Sequence, residues 1–458
     1  MSTQTKQPQT DPYQRTDLTL REPPKTFTET LRYLGPGFVL SAAIVGSGEL
    51  IATTTLGAKA GFVTFWVIIV SCLVKVALQL EFGKHAIHSG ESTMYSLNQL
   101  PGPRFGKAKA NWSLWVWLFI QLFKFLQVGG IVGGVAIILN IIFPAITITF
   151  WAIIVTVITS LLVYKGYYTI VEKASLVMIG IFTIFTLASL FFLQYTSYAI
   201  TWPQLQEGLS FRLPPATVAV AVAAFGITGV GGDEIMYYNY WCLEKGYAAY
   251  TGSYQNTPEW EHRARGWIKV MYIDALFAMV VYTSVTAAFY LLGAAVLHAK
   301  GSIPEGYAMV ETLSQMYTET LGSWARSIFL AGAFVVLYST LFAAAAAWIR
   351  IFSDNFGQMG WINFYNPGTR KKVMAWLAWI FPATWTILFL FIQLPVLMIL
   401  IGGFVTSILL LVVVYAAIHF RYHRLPANLY PGKWYDATFW LSAVVIVLTA
   451  LYGIFQVF

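Results

Sequence analysis

Two short stretches place carboxylates where a membrane helix ought to run. Val45-Gly46-Ser47-Gly48-Glu49-Leu50-Ile51 and Val230-Gly231-Gly232-Asp233-Glu234-Ile235-Met236 match in register: valine, glycine, a small residue, a variable position, glutamate, two apolar residues. An acidic side chain at the centre of a bilayer costs about 2.5–3.5 kcal/mol on insertion scales, so Glu49, Asp233 and Glu234 together are expensive to keep there. Each glycine disfavours helix by about 1 kcal/mol relative to alanine. Gly46, Gly48, Gly231 and Gly232 are therefore expected to break their helices. Lipid cannot satisfy the backbone groups a break frees, so such a break must be buried or line an aqueous cavity. Two or three carboxylates with freed carbonyls form an all-oxygen ligand set, which suits hard cations such as magnesium, calcium or manganese. Buried ion pairs could instead account for one or two of these acids with no substrate at all.

The elements that must position these residues are apolar blocks. Only 10% of the 458 residues are charged, 58% are hydrophobic and 17% are aromatic, where a soluble domain carries roughly 25% charged residues. Mean hydropathy is +0.65. Blocks near the ~20 residues that span a bilayer as helix lie at about 37–58, 62–82, 113–140, 149–164, 174–195, 216–242, 268–297, 326–349, 373–391, 393–418 and 437–457. The chain thus reads as an all-α polytopic membrane protein with about eleven transmembrane helices. The pair either side of Leu394-Pro395 is the easiest to miscount. No ten-residue alternation recurs, which argues against a β-barrel.

If the polar start is cytoplasmic, 22 of the 28 lysines and arginines fall in connectors on that side and four on the other. This is a positive-inside bias, with the C-terminus outside. The net charge of +8 is explained by topology and needs no nucleic acid. The segment 1–28 lacks an apolar leader and reads as a disordered cytoplasmic tail, with 29–458 the transporter domain. Two glycine-interrupted spans at corresponding places point to an inverted-repeat carrier. Its repeats fall at about 34–196 and 215–420, with 437–457 an added helix. Cys72 and Cys242 suggest neither a disulfide framework nor a thiolate metal site.

Other polar features have plainer readings. Gly129, Gly130, Gly133 and Gly134 form a small-residue surface for helix packing. His85 with His88, and His419 with His423, have helical spacing but lack the His-Glu-x-x-His arrangement of a zinc hydrolase, so no enzyme is expected. Lys75 and Glu81 are six apart, face different sides of one helix and must each seek a partner on another span. The polar stretch 247–269 could gate the inner side or lie on the membrane surface.

The sequence resembles the NRAMP family of divalent metal transporters, as a divergent branch. Gly35-Pro36-Gly37-Phe38 opens the first span as in that family. Gly46-Ser47-Gly48-Glu49 stands in place of its Asp-Pro-Gly-Asn metal motif, and Ala58-Lys59-Ala60-Gly61-Phe62 resembles its link into span two. Gly226-Ile227-Thr228-Gly229 is similar to the lead-in to its Met-Pro-His motif. The resemblance implies a LeuT-type 5+5 inverted repeat with discontinuous helices 1 and 6. It puts Val230 where a backbone carbonyl binds metal, Asp233 on the methionine, Glu234 on the proline and Ile235 on the histidine. The family's metal-binding aspartate is Gly46 here and its asparagine Glu49. Its two acidic proton-pathway residues fall on Lys124 and Gln127.

The expectation is a carrier of a divalent cation at Glu49, Asp233, Glu234, Gly46 and Val230. The cation is cargo and no cofactor is implied. Lys124 and Gln127 compensate charge, and proton coupling is not expected. Lys124 could also neutralise one carboxylate by an ion pair. Two other classes stay open. One is a carrier of a small organic amine or amino acid, with Tyr237, Tyr238 and Tyr240 beside the acids offering cation–π contact. The other is a non-transporting scaffold or sensor. Apart from the lipid bilayer, no partner or oligomeric state can be read.

Overall fold

The computed structural model describes residues 11–13, 19–37, 44–165 and 168–457, with the backbone alone for 168–176 and 457. Its helices are α1 (Phe27–Tyr33), α2 (Thr54–Ala60), α3 (Phe65–Ser89), α4 (Thr93–Asn98), α5 (Trp112–Ile142), α6 (Ile148–Tyr164), α7 (Tyr168–Leu193), α8 (Trp202–Gly208), α9 (Val218–Ile227), α10 (Gly232–Lys245), α11 (Tyr247–Thr251), α12 (Pro258–Leu292), α13 (Met309–Leu321), α14 (Ala325–Gln358), α15 (Pro367–Ile392), α16 (Pro395–His419) and α17 (Lys433–Val457). Strand pairing among the described residues is limited to Arg104–Phe105 with Ala110–Asn111.

Among the described residues, eight helical segments are long and apolar enough to cross a membrane, with Pro215–Lys245 counted as one. The expected eleven is reached only with two shorter apolar helices, Ile148–Tyr164 and Val177–Leu193, and the broken segment that ends in α2. Residues 38–43 of the first expected span lie outside the described residues.

Local chemistry sets the helix ends. Thr257 accepts from the Trp260 N–H at 3.3 Å and Pro258 opens α12, where its missing N–H costs nothing. Asn366 caps α15 by accepting from the N–H groups of Gly368 and Thr369 at 2.9 and 3.1 Å. That helix ends at Gln393 in the left-handed region (φ 55°), and Pro395 starts α16 because it cannot continue the turn before it. The doubtful pair of spans is therefore two helices.

The core is built around α5, which packs on α16, α15, α14 and α6. Its glycine stripe is a packing surface. A Cβ at Gly130 would lie 2.6 Å from the Pro395 carbonyl oxygen, and one at Gly129 2.8 Å from that of Trp385. Close backbone approach of this kind replaces the hydrophobic drive that lipid does not supply. The start of the first segment is pinned elsewhere: Asp274, on α12, accepts from the N–H of Gly35 at 3.0 Å and from that of Gly37.

Two further attachments close one end of the bundle. Arg421, just past α16, bonds Asp436 of α17 at 2.8 Å through Nε and Glu81 of α3 at 3.1 Å. Glu81 also holds Lys84 at 2.6 Å on its own helix, so the partner that the sequence demanded from beyond span two is Arg421. Within 1–28, the described parts lie against the helices. Asp11 pairs with Arg370 at 2.9 Å, the Tyr13 hydroxyl donates to Glu244 at 2.5 Å, and the Trp267 indole donates to the Arg21 carbonyl at 3.0 Å.

Candidate functional site

The break in span six begins where α9 stops at Ile227. Thr228 is extended, Gly229 has φ +64° and Gly231 leads into α10 with an extended backbone. A positive φ at Gly229 is cheap only without a side chain. A Cβ there would also lie 3.1 Å from the Cys72 Cα. The carbonyls freed by the break are taken up by α3: Lys75 Nζ donates to Phe225 at 2.7 Å and to Thr228, and Ser71 Oγ bonds the same two at 2.9 and 3.1 Å. A buried ammonium thus sits at the negative end of a half-helix, where the helix dipole favours it. The sequence required a partner for Lys75 on another span, and the structure supplies these carbonyls.

The first-span break is a turn at Val45-Gly46, followed by a π-helix from Gly48 to Thr53 that runs into α2. Gly46 abuts Thr340 of α14 so closely that a Cβ would collide with the hydroxyl, and a Cβ at Gly48 would lie 2.8 Å from the Ile227 carbonyl. The breaks therefore touch. Glu49 joins them. It is fully buried, and its carboxylate accepts from the Gly229 N–H at 2.9 Å and from the Gly46 N–H at 3.3 Å. The Gly46 carbonyl is used by its own helix, accepting from Leu50 N–H at 2.9 Å. Val230 is fully buried at the second break.

A cavity of about 40 Å³ opens between α5, α10 and α14. Lys124, Gln127, Asp233, Glu234, Tyr237 and Thr340 are among its walls, and Glu49 is not. Asp233, in the first turn of α10, is ion-paired with Lys124 and accepts from Gln121 Nε2 at 2.8 Å. Its neighbour Glu234 is half-buried and makes no ion pair within 4.0 Å among the described residues. The side-chain oxygens of Gln127 and Gln121 are buried without a partner. Three acidic side chains and two lysines thus share the region: Asp233 is paired with Lys124, Glu49 with backbone N–H groups, and Glu234 with no basic side chain within 4.0 Å among the described residues.

The structure brings together Asp233, Glu234, Lys124 and Gln127. It places Glu49 and Gly46 on the breaks themselves. Among the described residues, no group of three histidine, cysteine or acidic side chains is arranged to hold a metal. His85 stacks on Phe420 (ring centroids 4.1 Å apart) and bonds Ser96 at 2.8 Å, while His419 and His423 stack on each other. Sequence reasoning missed Gly229 as the turning point and Gln121 as the second partner of Asp233. Gly229 was noticed only in a family lead-in. Gln121 lies three residues before Lys124 on the same helical face, a spacing that could have flagged it.

Apolar helices, two of them interrupted where they meet and flanked by a small polar cavity, define a membrane carrier of the broken-helix class. The chain belongs to the Nramp family: the model for natural resistance-associated macrophage protein-like sequences matches residues 37–456. It is thus an integral membrane transporter and not an enzyme. An uncharacterized protein of Pasteurella multocida is 26% identical over 72% of this chain and 71% of its own length. The divalent metal cation transporter MntH of Caldanaerobacter subterraneus is 28% identical over 66% of each chain, and that of Nostoc sp. is 23% identical over 91% of this chain and 89% of its own. Among solved structures, a mutant of the Eremococcus coleocola manganese transporter superposes with TM-score 0.65 at 13% identity, covering 96% of this chain and 89% of that one. Mhp1, a nucleobase-cation-symport-1 family transporter, gives TM-score 0.55 at 13% identity over 96% and 95%. These likenesses agree with the LeuT-type inverted repeat expected from the two interrupted spans.

Proposed function

We propose that this Nramp-family transporter carries a divalent cation through an all-oxygen site at the first turn of α10, without proton coupling. The observation that carries this reading is the position of Glu234. It faces the cavity with no ion-pair partner within 4.0 Å among the described residues, beside Asp233 and the unpartnered amide oxygen of Gln127. Divalent cation transport by relatives named MntH supports the class of cargo. Without sulfur in the ligand set, selection for softer metals is lost and hard ions are favoured. A magnesium-like ion needs only one or two direct carboxylates and keeps several waters. Glu234 can supply the first while Asp233 stays with Lys124, or Asp233 can join once the ammonium moves aside.

Lys124 stands where proton-pathway acids stand in the family resembled. An ammonium tethered in the site supplies a fixed positive charge in place of a titrating carboxylate, which is why flux should not follow a proton gradient. The organic-amine alternative is less well supported. A space of about 40 Å³ is far below the roughly 300 Å³ at which organic-ligand pockets begin.

The test is flux into proteoliposomes. Manganese, magnesium and calcium are offered with and without a pH gradient, to wild-type protein and to Glu234→Gln. Saturable uptake of at least one ion, insensitive to the gradient and lost in the variant, is the expected result. No flux of any divalent ion under an imposed membrane potential, with the protein folded, would remove the proposal. Stimulation by an inward proton gradient would remove its uncoupled part.

A further inference from the structure

A second recess, of about 500 Å³, lies between the end of α6, the 342–350 stretch of α14 and the first turns of α15, away from the breaks. Four basic side chains converge on its rim: Lys165, Arg350, Lys371 and Lys372. Its deeper wall is apolar and includes Phe342, Ile349 and Met374. No acidic side chain lines it among the described residues. Lys165, Lys371 and Lys372 are exposed and make no ion pair among the described residues. Arg350 is held in place, bonded to Glu244 at 2.7 Å and to the Ala346 carbonyl at 2.7 Å.

The recess lies where α6 ends and α15 begins, as a site at a membrane surface would. Lys165 is the C-cap of α6, and Lys371 and Lys372 fall in the second turn of α15. Tyr164 (56% exposed) and, about one turn further along α15, Trp376 (71% exposed) face outward beside it, as aromatic residues do at headgroup depth. Three positive charges without an acidic partner among the described residues repel each other around one hollow unless an anion shares it. An apolar floor beneath them fits an acyl chain better than water. A basic pocket between transmembrane helices is the form that anionic headgroup sites take.

We propose that this recess binds an anionic phospholipid, with the phosphodiester between Lys165, Lys371, Lys372 and Arg350 and an acyl chain along Phe342, Ile349 and Met374. Free phosphate would meet the same rim but gain nothing from the apolar wall.

The experiment is native mass spectrometry and lipid titration on delipidated protein in detergent. It uses phosphatidylglycerol, phosphatidylcholine and inorganic phosphate. Phosphatidylglycerol should bind saturably and at least ten-fold more tightly than phosphatidylcholine. Each lysine near an anionic headgroup is worth about five-fold, so Lys371→Gln with Lys372→Gln should weaken phosphatidylglycerol binding by roughly ten- to thirty-fold. Lys107→Gln with Lys109→Gln, an exposed pair in another connector, should leave it unchanged. Equal binding of the two lipids, an equal loss in the Lys107/Lys109 variant, or full retention by the Lys371/Lys372 variant each overturns the proposal. Displacement of phosphatidylglycerol by millimolar phosphate assigns the recess to simple anions and overturns it as well. All these residues are exposed, so folding is expected to survive, and a melting curve of each variant checks that it does.

Discussion

The Glu49 carboxylate accepts a hydrogen bond of 2.9 Å from the backbone N–H of Gly229, a residue 180 positions further along the chain. The same carboxylate holds Gly46 on its own segment. Hydrogen bonds to a charged acceptor contribute about 1.5–3 kcal/mol each, and a buried donor left without its partner costs more than the bond was worth. Glu49→Ala should therefore lower stability by roughly 2–4 kcal/mol. Glu49→Gln, which keeps an acceptor oxygen, should lose about half of that. Thermal melts in detergent distinguish the two. If Glu49→Gln melts like wild type but no longer binds divalent ions, Glu49 is a ligand and not a staple.

Lys75 and Glu49 address the same break from opposite ends, one through the carbonyls and one through an N–H. Lys75→Met removes the donor to Phe225 and Thr228 and leaves a buried acidic region short of one positive charge. A loss of about 3–5 kcal/mol is expected. In the double variant with Glu49→Gln the two losses should not add, with a coupling of about 1–3 kcal/mol. Strict additivity would mean that the two residues act independently.

Much of this architecture was legible in the sequence, for a physical reason. Lipid admits only long apolar helices and makes every departure from them costly, so the glycines and acids of residues 45–51 and 230–236 stood out. Partnerships were harder to read. Whether Glu49 meets Asp233 depends on how four helices rotate against each other, and nothing in the local pattern encodes that. The structure sends Glu49 to backbone amides and Asp233 to Lys124, an ion pair the sequence raised as one possibility. Gly229 escaped because a positive φ is invisible unless a turn motif announces it. Lys75 announced only that it needed something, and carbonyls freed by a break are not written as residue types.

Lys124→Gln should unmask Asp233. The carboxylate keeps Gln121 at 2.8 Å but loses its ammonium. Without ligand the variant should be less stable by about 3–5 kcal/mol, the usual result of orphaning one half of a buried pair. A divalent ion that replaces the ammonium should restore stability in proportion to the logarithm of its concentration. Calorimetry should show tighter divalent binding than in wild type. Weaker binding would mean that Lys124 assists the cargo rather than occupying its place.

Gly229→Ala tests the turn itself. The substitution forces a side chain into a φ of +64° and within 3.1 Å of Cys72, so a cost of about 1–3 kcal/mol is expected. Gly301 also has φ +64°, with nothing within 4 Å of its Cβ position. Gly301→Ala should therefore cost only the backbone part, about 1 kcal/mol. Equal melting points for the two variants would show that crowding at the break contributes nothing.

Because the Glu49 side chain fastens the first interrupted segment to the main chain of the second, the two cannot swing independently. A conformational cycle in this molecule has to move α2, α9 and the turns between them as a single rigid piece, sliding against α5 and α14. The contact of Gly46 with Thr340 then lies on the sliding surface. The size of the residue at position 340 becomes a determinant of how fast the molecule alternates, separate from how tightly it holds its cargo.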